Sequence, residues 1–338
     1  MLRMRSTTES PPHGWIATPP LVVNPVRNWS FNGLCKDVHQ LNPSLSEEYV
    51  REAVEHQNAL RMLNMPDAHR WITVDLSPAS IPDLLVQAND STKLLDQSQD
   101  LLLVLPFCAR EVSLLLKVLG WMIELGPCGS RDVLLTHDLG ISPGEILQIK
   151  ALIVQFSRNW SELRYPVPPA GYFPPNWAFQ CTARFIAGTL RRPWLWFEAD
   201  MVPLKPNWLQ TLQDAYMKGG KPCMGTVVTG MGHVNGTAIY PADYAAWATN
   251  AMSSVQAAWD MEQAKDMPGK VHEASYLMQH VWGVIGGRPH ASQGPSVSFS
   301  GDNEMNWINP GAVTLHRCKD GSLIDRLRER KRCEPKSS

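Results

Sequence analysis

From residue 99 onward, short apolar runs alternate with helical stretches, and this alternation restricts the fold more than any other property of the chain. Leu101-Leu-Leu-Val-Leu-Pro-Phe107 is apolar without a break, as a strand buried on both faces requires. Glu111 to Leu125 reads as a helix, apolar almost all round and ended by Gly126-Pro127. Asp132-Val-Leu-Leu-Thr-His-Asp138 is a second strand. Ser142-Pro-Gly-Glu then opens a helix running to Phe156, with a Ser cap and Pro at the first helical position. Leu163-Arg-Tyr-Pro-Val is a weaker third strand, 176–188 a third helix, and the aromatic stretch 194–197 a fourth strand. The series predicts an α/β fold: a Rossmann-type, mostly parallel sheet flanked by helices. Ligands of such sheets bind beyond the carboxyl ends of the strands, near a topological switch point.

That pattern sets the expected organisation. Residues 1–95 read as an accessory region whose first 45 residues are rich in Pro, Asn and Ser, with a helix-like segment over 46–63. The α/β domain spans 96–323, and 324–338 form a basic C-terminal tail carrying Arg326, Arg328, Arg330, Lys331 and Arg332. A net charge of −1 excludes a protein that is basic overall and coats nucleic acid, but leaves room for a local basic patch. The seven cysteines are scattered, odd in number and without a C-x-x-C pair, which favours reduced thiols over a disulfide framework or zinc knuckle. No apolar signal-peptide core and no 18-residue apolar run occur in the sequence. The expectation is a cytoplasmic protein with no membrane span, and the four N-x-S/T sequons are read as incidental.

The fourth strand runs into Glu198-Ala199-Asp200, and Pro203 and Pro206 then stop regular structure. Two acids at a strand exit can both reach a hard divalent cation, although an isolated acidic pair also arises wherever a strand ends in solvent. Three strand exits, at 106–110, 136–138 and 198–200, are expected to converge on one cleft. Neither G-x-G-x-x-G nor the P-loop pattern is present, so the dinucleotide and P-loop readings lack their signatures. Further on stand Asn235-Gly236, an N-G pair that also signals a turn, and His316-Arg-Cys-Lys319.

Taken in order, these features over roughly 99–323 resemble the GT-A class of nucleotide-sugar glycosyltransferases, with Glu198-Ala199-Asp200 as the D-x-D-type motif. The resemblance implies transfer of a sugar from a nucleotide-diphosphate donor, such as a UDP-sugar, to a hydroxyl. It implies a metal site of Glu198, Asp200 and His316, and imidazole beside carboxylates suits Mn²⁺ better than Mg²⁺. By the same resemblance Pro106, Phe107 and Arg110 border the nucleotide, and Asp138 meets base or ribose. Asn176, Gln180 and Arg184 face diphosphate or sugar, Asn235 and Gly236 approach the sugar, and Lys319 meets the diphosphate. The cation and Lys319 would stabilise the charge on the departing diphosphate. Inversion also needs a carboxylate base, for which Asp260, Glu273 and Asp302 are the candidates; the His316 ending points instead to retention. Here Glu198 replaces the more usual Asp, and the ending lacks the Gly and Lys-Pro-Trp of the commonest form.

The acceptor stays open between a glycan, a small molecule and a hydroxylated DNA base, the last drawn by the basic tail and flipped from its duplex. A nucleotidyltransferase would carry a Gly-rich basic loop where this chain has Pro106-Phe-Cys-Ala-Arg110. A non-catalytic nucleotide-sugar-binding protein on the same fold is the other alternative.

Overall fold

The structure, a computed structural model, describes residues 73–75, 100–126, 131–165, 167–228, 233–281, 284–285, 288–289, 298–299 and 301–333. Most of the expected accessory region, 1–95, lies outside these residues; within it Thr73–Asp75 forms β1. The apolar run forms β2 (Leu102–Phe107), buried throughout. A one-turn helix, Ala109–Glu111, leads into α1 (Val112–Leu125), which stops at Gly126 with φ 96°, a backbone conformation open to glycine at little cost.

β3 (Arg131–His137) leads to α2 (Pro143–Ile153). Ser142 and Glu145 start α2 with a capping box: Glu145 N–H donates to Ser142 Oγ at 3.3 Å, and Ser142 N–H donates to Glu145 Oε2 at 3.1 Å. β4 (Ser157–Arg164), α3 (Pro174–Phe185) and a π-helical turn (Ile186–Leu190) precede β5 (Trp194–Trp196). The second half holds β6 (Val202–Pro203), α4 (Trp208–Gly219), β7 (Cys223–Val227), β8 (Val234–Tyr240), β9 (Val271–Glu273), β10 (Met278–His280), β11 (Val284–Ile285), β12 (Arg288–Pro289), β13 (Thr314–His316) and α5 (Ser322–Cys333). No described helix is long and apolar enough to cross a membrane.

Eight strands form one sheet in the order β1-β4-β3-β2-β5-β8-β7-β9. The pairs from β1 through β5 are parallel, whereas β8 runs antiparallel to both β5 and β7. From β2 the chain builds outward through β3 and β4, then returns to place β5 on the other side of β2. The order therefore reverses between β2 and β5, where α/β sheets open a crevice. A second sheet, β10-β13-β6, begins just past the end of β5.

Strand side chains alternate between two cores, as the two-residue period of a pleated strand demands. Leu103, Leu105, Leu195 and Phe197 join one, packed with α1 and α2. Leu102, Val104, Trp194 and Trp196 join the other. There Phe179 of α3 meets Trp194, Trp196, Tyr240, Tyr244 and Trp259, a packed aromatic block behind the carboxyl end of β5.

Three expectations differ from the structure. The third strand begins at Ser157, not at 163, because β4 carries polar residues inward and hydropathy alone does not reveal it. Its Glu162 is 4% exposed, with Lys150 Nζ at 2.6 Å, His137 Nε2 at 3.0 Å and Arg164 Nε at 3.5 Å. Asn235-Gly236 is not a turn but the second and third residues of β8, so the reversal from β7 comes earlier. The basic C-terminal segment from 324, expected as a solvated helix, is helical as far as residue 333 (α5) but not fully solvated, with Leu323 and Ile324 buried. Ion pairs fasten it to α1: Lys117 to Asp325 at 2.7 Å and Arg328 to Glu124 at 2.6 Å.

Candidate active site

The end of β5 turns tightly, with Met201 N–H donating to Glu198 O at 2.9 Å, and the turn aims both acids of the 198–200 motif into one cleft. β6 continues from the turn and pairs antiparallel with β13, Val202 opposite Leu315, and Cys318 N–H donates to Asp200 O at 3.0 Å. These bonds bring His316, at the end of β13, against the turn. His316 Nε2 stands 2.9 Å from Asp200 Oδ1 and 3.1 Å from Glu198 Oε2. One ligand atom from each of the three residues lies within 4.8 Å of the others.

Asp200 and His316 are buried, whereas the Glu198 side chain is 38% exposed and also accepts from Trp196 Nε1 at 3.2 Å. Burial works against charge on His316, but the Asp200 carboxylate and then Glu198 outweigh it and push the imidazolium up to about 10. Burial likewise opposes ionisation of Asp200. The charge and hydrogen bond of His316, followed by Lys319 and Arg317, hold its carboxyl below the ordinary value. The buried Asp200 carboxylate thus faces the imidazolium, with the Glu198 carboxyl on its other side. Carboxyl oxygens beside an imidazole are a donor set that fits a divalent ion.

Gly236 closes one side of the cleft. In the β5–β8 ladder Leu195 lies opposite Ile239, and continuing three residues along each strand places Glu198 opposite Gly236. A Cβ added at Gly236 would come 3.3 Å from Glu198 Oε1 and 3.4 Å from the Trp259 ring. Asn235, Trp259, Asp260, Arg317 and Lys319 complete the lining around the acids. Asp260 is pushed up to about 6, first by burial and then by the charge of Glu198.

No protein-family model and no curated protein matches this chain. The solved structures it resembles include glycosyltransferases. The apo bifunctional glycosyltransferase WbbM has 10% identity and a TM-score of 0.43 over 68% of this chain, which spans about half, 51%, of that protein. The galactosyltransferase LgtC, solved with donor and acceptor sugar analogues, has 10% identity and a TM-score of 0.40, with 68% of this chain and 94% of that one covered. Apo mouse xyloside xylosyltransferase 1 has 9% identity and a TM-score of 0.38, with coverage of 64% and 97%.

Seven residues named from sequence line the cleft: Glu198, Asp200, Asn235, Gly236, Asp260, His316 and Lys319. Pro106, Phe107, Arg110 and Asp138 stand at the exits of β2 and β3 and are not in the lining of the cleft. Pro106 and Phe107 are buried, the latter 5.2 Å from the His137 ring, while Arg110 is exposed. Asp138 accepts from Gly140 N–H at 2.8 Å. Asn176, Gln180 and Arg184 are not in the cleft lining; they bond to the segment 252–259, of which Trp259 does line it. Asn176, fully buried, donates to Ala257 O at 2.6 Å and accepts from Trp259 N–H at 2.8 Å. Gln180 donates to Ser254 O at 2.7 Å and Arg184 to Met252 O at 3.0 Å. Glu273 ends β9, where it accepts from Ser275 N–H at 2.8 Å. Asp302 opens the short helix Asp302–Met305, and its side chain lies outside the described residues.

The sequence reading missed His280 and Arg317, both in the cleft lining. Nothing local to residue 280 signals a site, whereas Arg317 adjoins a named residue. Arg317 holds a left-handed φ of 83°, which costs a non-glycine residue about 1–3 kcal/mol. Arg317→Gly should therefore raise thermal stability while weakening nucleotide binding about tenfold or more, through loss of a charge-assisted contact. Melting temperature and calorimetric affinity, measured on the same variant, check the opposed signs.

Proposed function

We propose that this chain is a metal-dependent glycosyltransferase that moves a sugar from a nucleotide-diphosphate donor, a UDP-sugar in the first instance, to a hydroxyl acceptor. One observation carries the reading: Glu198, Asp200 and His316 meet at the exit of β5, with Lys319 and Arg317 in the same cleft. Mn²⁺ held by those three residues would neutralise charge on the diphosphate as it leaves. Lys319 and Arg317 would bind diphosphate oxygens from the protein side, the preorganised electrostatic contribution that is usually largest in such transfers. Gly236, lacking a Cβ, leaves room for the sugar beside Glu198.

The exits of β2 and β3, with Arg110 and Asp138, supply the ground for the nucleoside. Asp260 faces the sugar's side of the cleft. With the retention implied by the His316 ending it would hydrogen-bond sugar hydroxyls, and with inversion it is the carboxylate placed to take the acceptor's proton. For the acceptor we favour a saccharide or small-molecule hydroxyl. A DNA base has less support, because Arg328 of α5 pairs with the Glu124 carboxylate and Lys331 donates to Glu124 O, which ties part of the basic segment to α1.

Calorimetric titration of UDP into the full chain, with and without Mn²⁺, tests the reading. Binding that requires Mn²⁺ is expected, and UDP released on incubation with a UDP-sugar and acceptor should follow it. Absence of any metal-dependent nucleotide binding would sink the proposal.

A further inference from the structure

Behind His316, on the side away from the acids, stands a second histidine. β10 and β13 run parallel with His280 directly opposite His316, and the rings lie 4.7 Å apart. His280 Nδ1 is 2.9 Å from His316 Nδ1 and also contacts the side-chain nitrogen of Asn235. Of two facing ring nitrogens one must donate and the other accept, and the Asn235 amide decides which. Its oxygen accepts from Thr237 N–H at 3.2 Å, which turns the NH₂ toward His280. His280 Nδ1 therefore accepts, and His316 Nδ1 carries the proton that it donates. With Nδ1 so occupied, Nε2 is the nitrogen of His316 that faces Glu198 and Asp200.

We propose that His280, oriented by Asn235, is a positioning residue that holds the Nδ1–H of His316, so that Nε2 is the ligand atom for a divalent cation, which displaces the Nε2 proton to solvent on binding. This rests on the metal site proposed above. Outer partners of metal-bound histidines usually are carboxylates, carbonyls or water, and their loss weakens metal binding about 10–100-fold. Here a neutral imidazole fills that place. The arrangement also gives Asn235 a role apart from the sugar: it sets the direction of a hydrogen-bond chain that ends at the metal position.

Mn²⁺ titrated alone into the metal-free full chain, with the free ion followed by electron paramagnetic resonance, tests the proposal without nucleotide or activity. His280→Phe should weaken Mn²⁺ binding about 10–100-fold. His280→Asn, whose Oδ1 can accept where Nδ1 did, should bind close to the parent. In ¹⁵N-histidine spectra of the parent loaded with diamagnetic Mg²⁺, His316 should show a protonated Nδ1 and a metal-bound Nε2, a readout that needs no variant to fold. Equal Mn²⁺ affinity in parent and His280→Phe overturns the inference and leaves the metal site standing, as does a metal-bound Nδ1 in the Mg²⁺-loaded parent. A parent that takes up no Mn²⁺ removes the metal site and this inference together.

Discussion

Asp200→Asn is expected to abolish Mn²⁺-dependent UDP binding and to lower sugar transfer about 10³-fold, the upper range for removing one preorganised electrostatic partner. The amide keeps the size of the side chain but not its charge. Asp200 is the buried acid of the pair and the main attractive partner of the His316 charge. Glu198, more exposed, should cost less when changed to Gln. Because Asp200 O also accepts from Cys318 N–H, a backbone contact that the substitution leaves alone, the fold should persist. Circular dichroism melting separates loss of the site from loss of the protein. A folded Asp200→Asn protein that binds Mn²⁺ and UDP like the parent would show the site assignment to be wrong.

Glu162→Leu should destabilise the protein by about 3–5 kcal/mol, the usual cost of removing one partner of a buried ion pair. Lys150 is 5% exposed, and its amine also lies over the Trp160 ring at 4.9 Å, so the charge left behind cannot reach water. Burial pushes the Lys150 pKa down, and Glu162 is what opposes the shift. Burial alone would raise Glu162; Lys150 and His137 more than offset this and hold it well below the carboxylate range. A folded-state pKa below the unfolded value of about 4.3 means that the native state binds fewer protons. The contribution is therefore whole above that pH and lost as the pH falls beneath it. Chemical denaturation at neutral pH and again near pH 3 reads both effects. The double variant Glu162→Leu with Lys150→Met should recover most of the loss, since paired removal leaves no buried charge. A single variant within 1 kcal/mol of the parent would falsify the account.

The same cluster shows where sequence reading stops. β2, β3 and β5 were legible because their apolar runs need no partner to be recognised, and Ser142 with Glu145 announced α2 through local chemistry. β4 was not, since Glu162 suits an interior strand only once Lys150 and His137 arrive from other elements. In the site, Glu198, Asp200 and His316 were each visible from residue type and order. Their convergence depends on the pairing of β6 with β13, two short ladders with no signature of their own. Asn176 and Arg184 of α3 bond to backbone carbonyls of the 252–257 segment, contacts set by packing that a helical pattern does not specify. His280 became visible only through its register opposite His316.

The junction of the two sheets gives the site an order of assembly. Strands β1 to β5 are complete by residue 196, and they can pair as soon as they have left the ribosome. The cleft cannot. His316 closes on Glu198 across 118 residues, and long loops are the slow part of folding. A nascent chain can thus hold its central sheet well before the candidate cation site is assembled, which waits for β13 to bring His316 to the exit of β5.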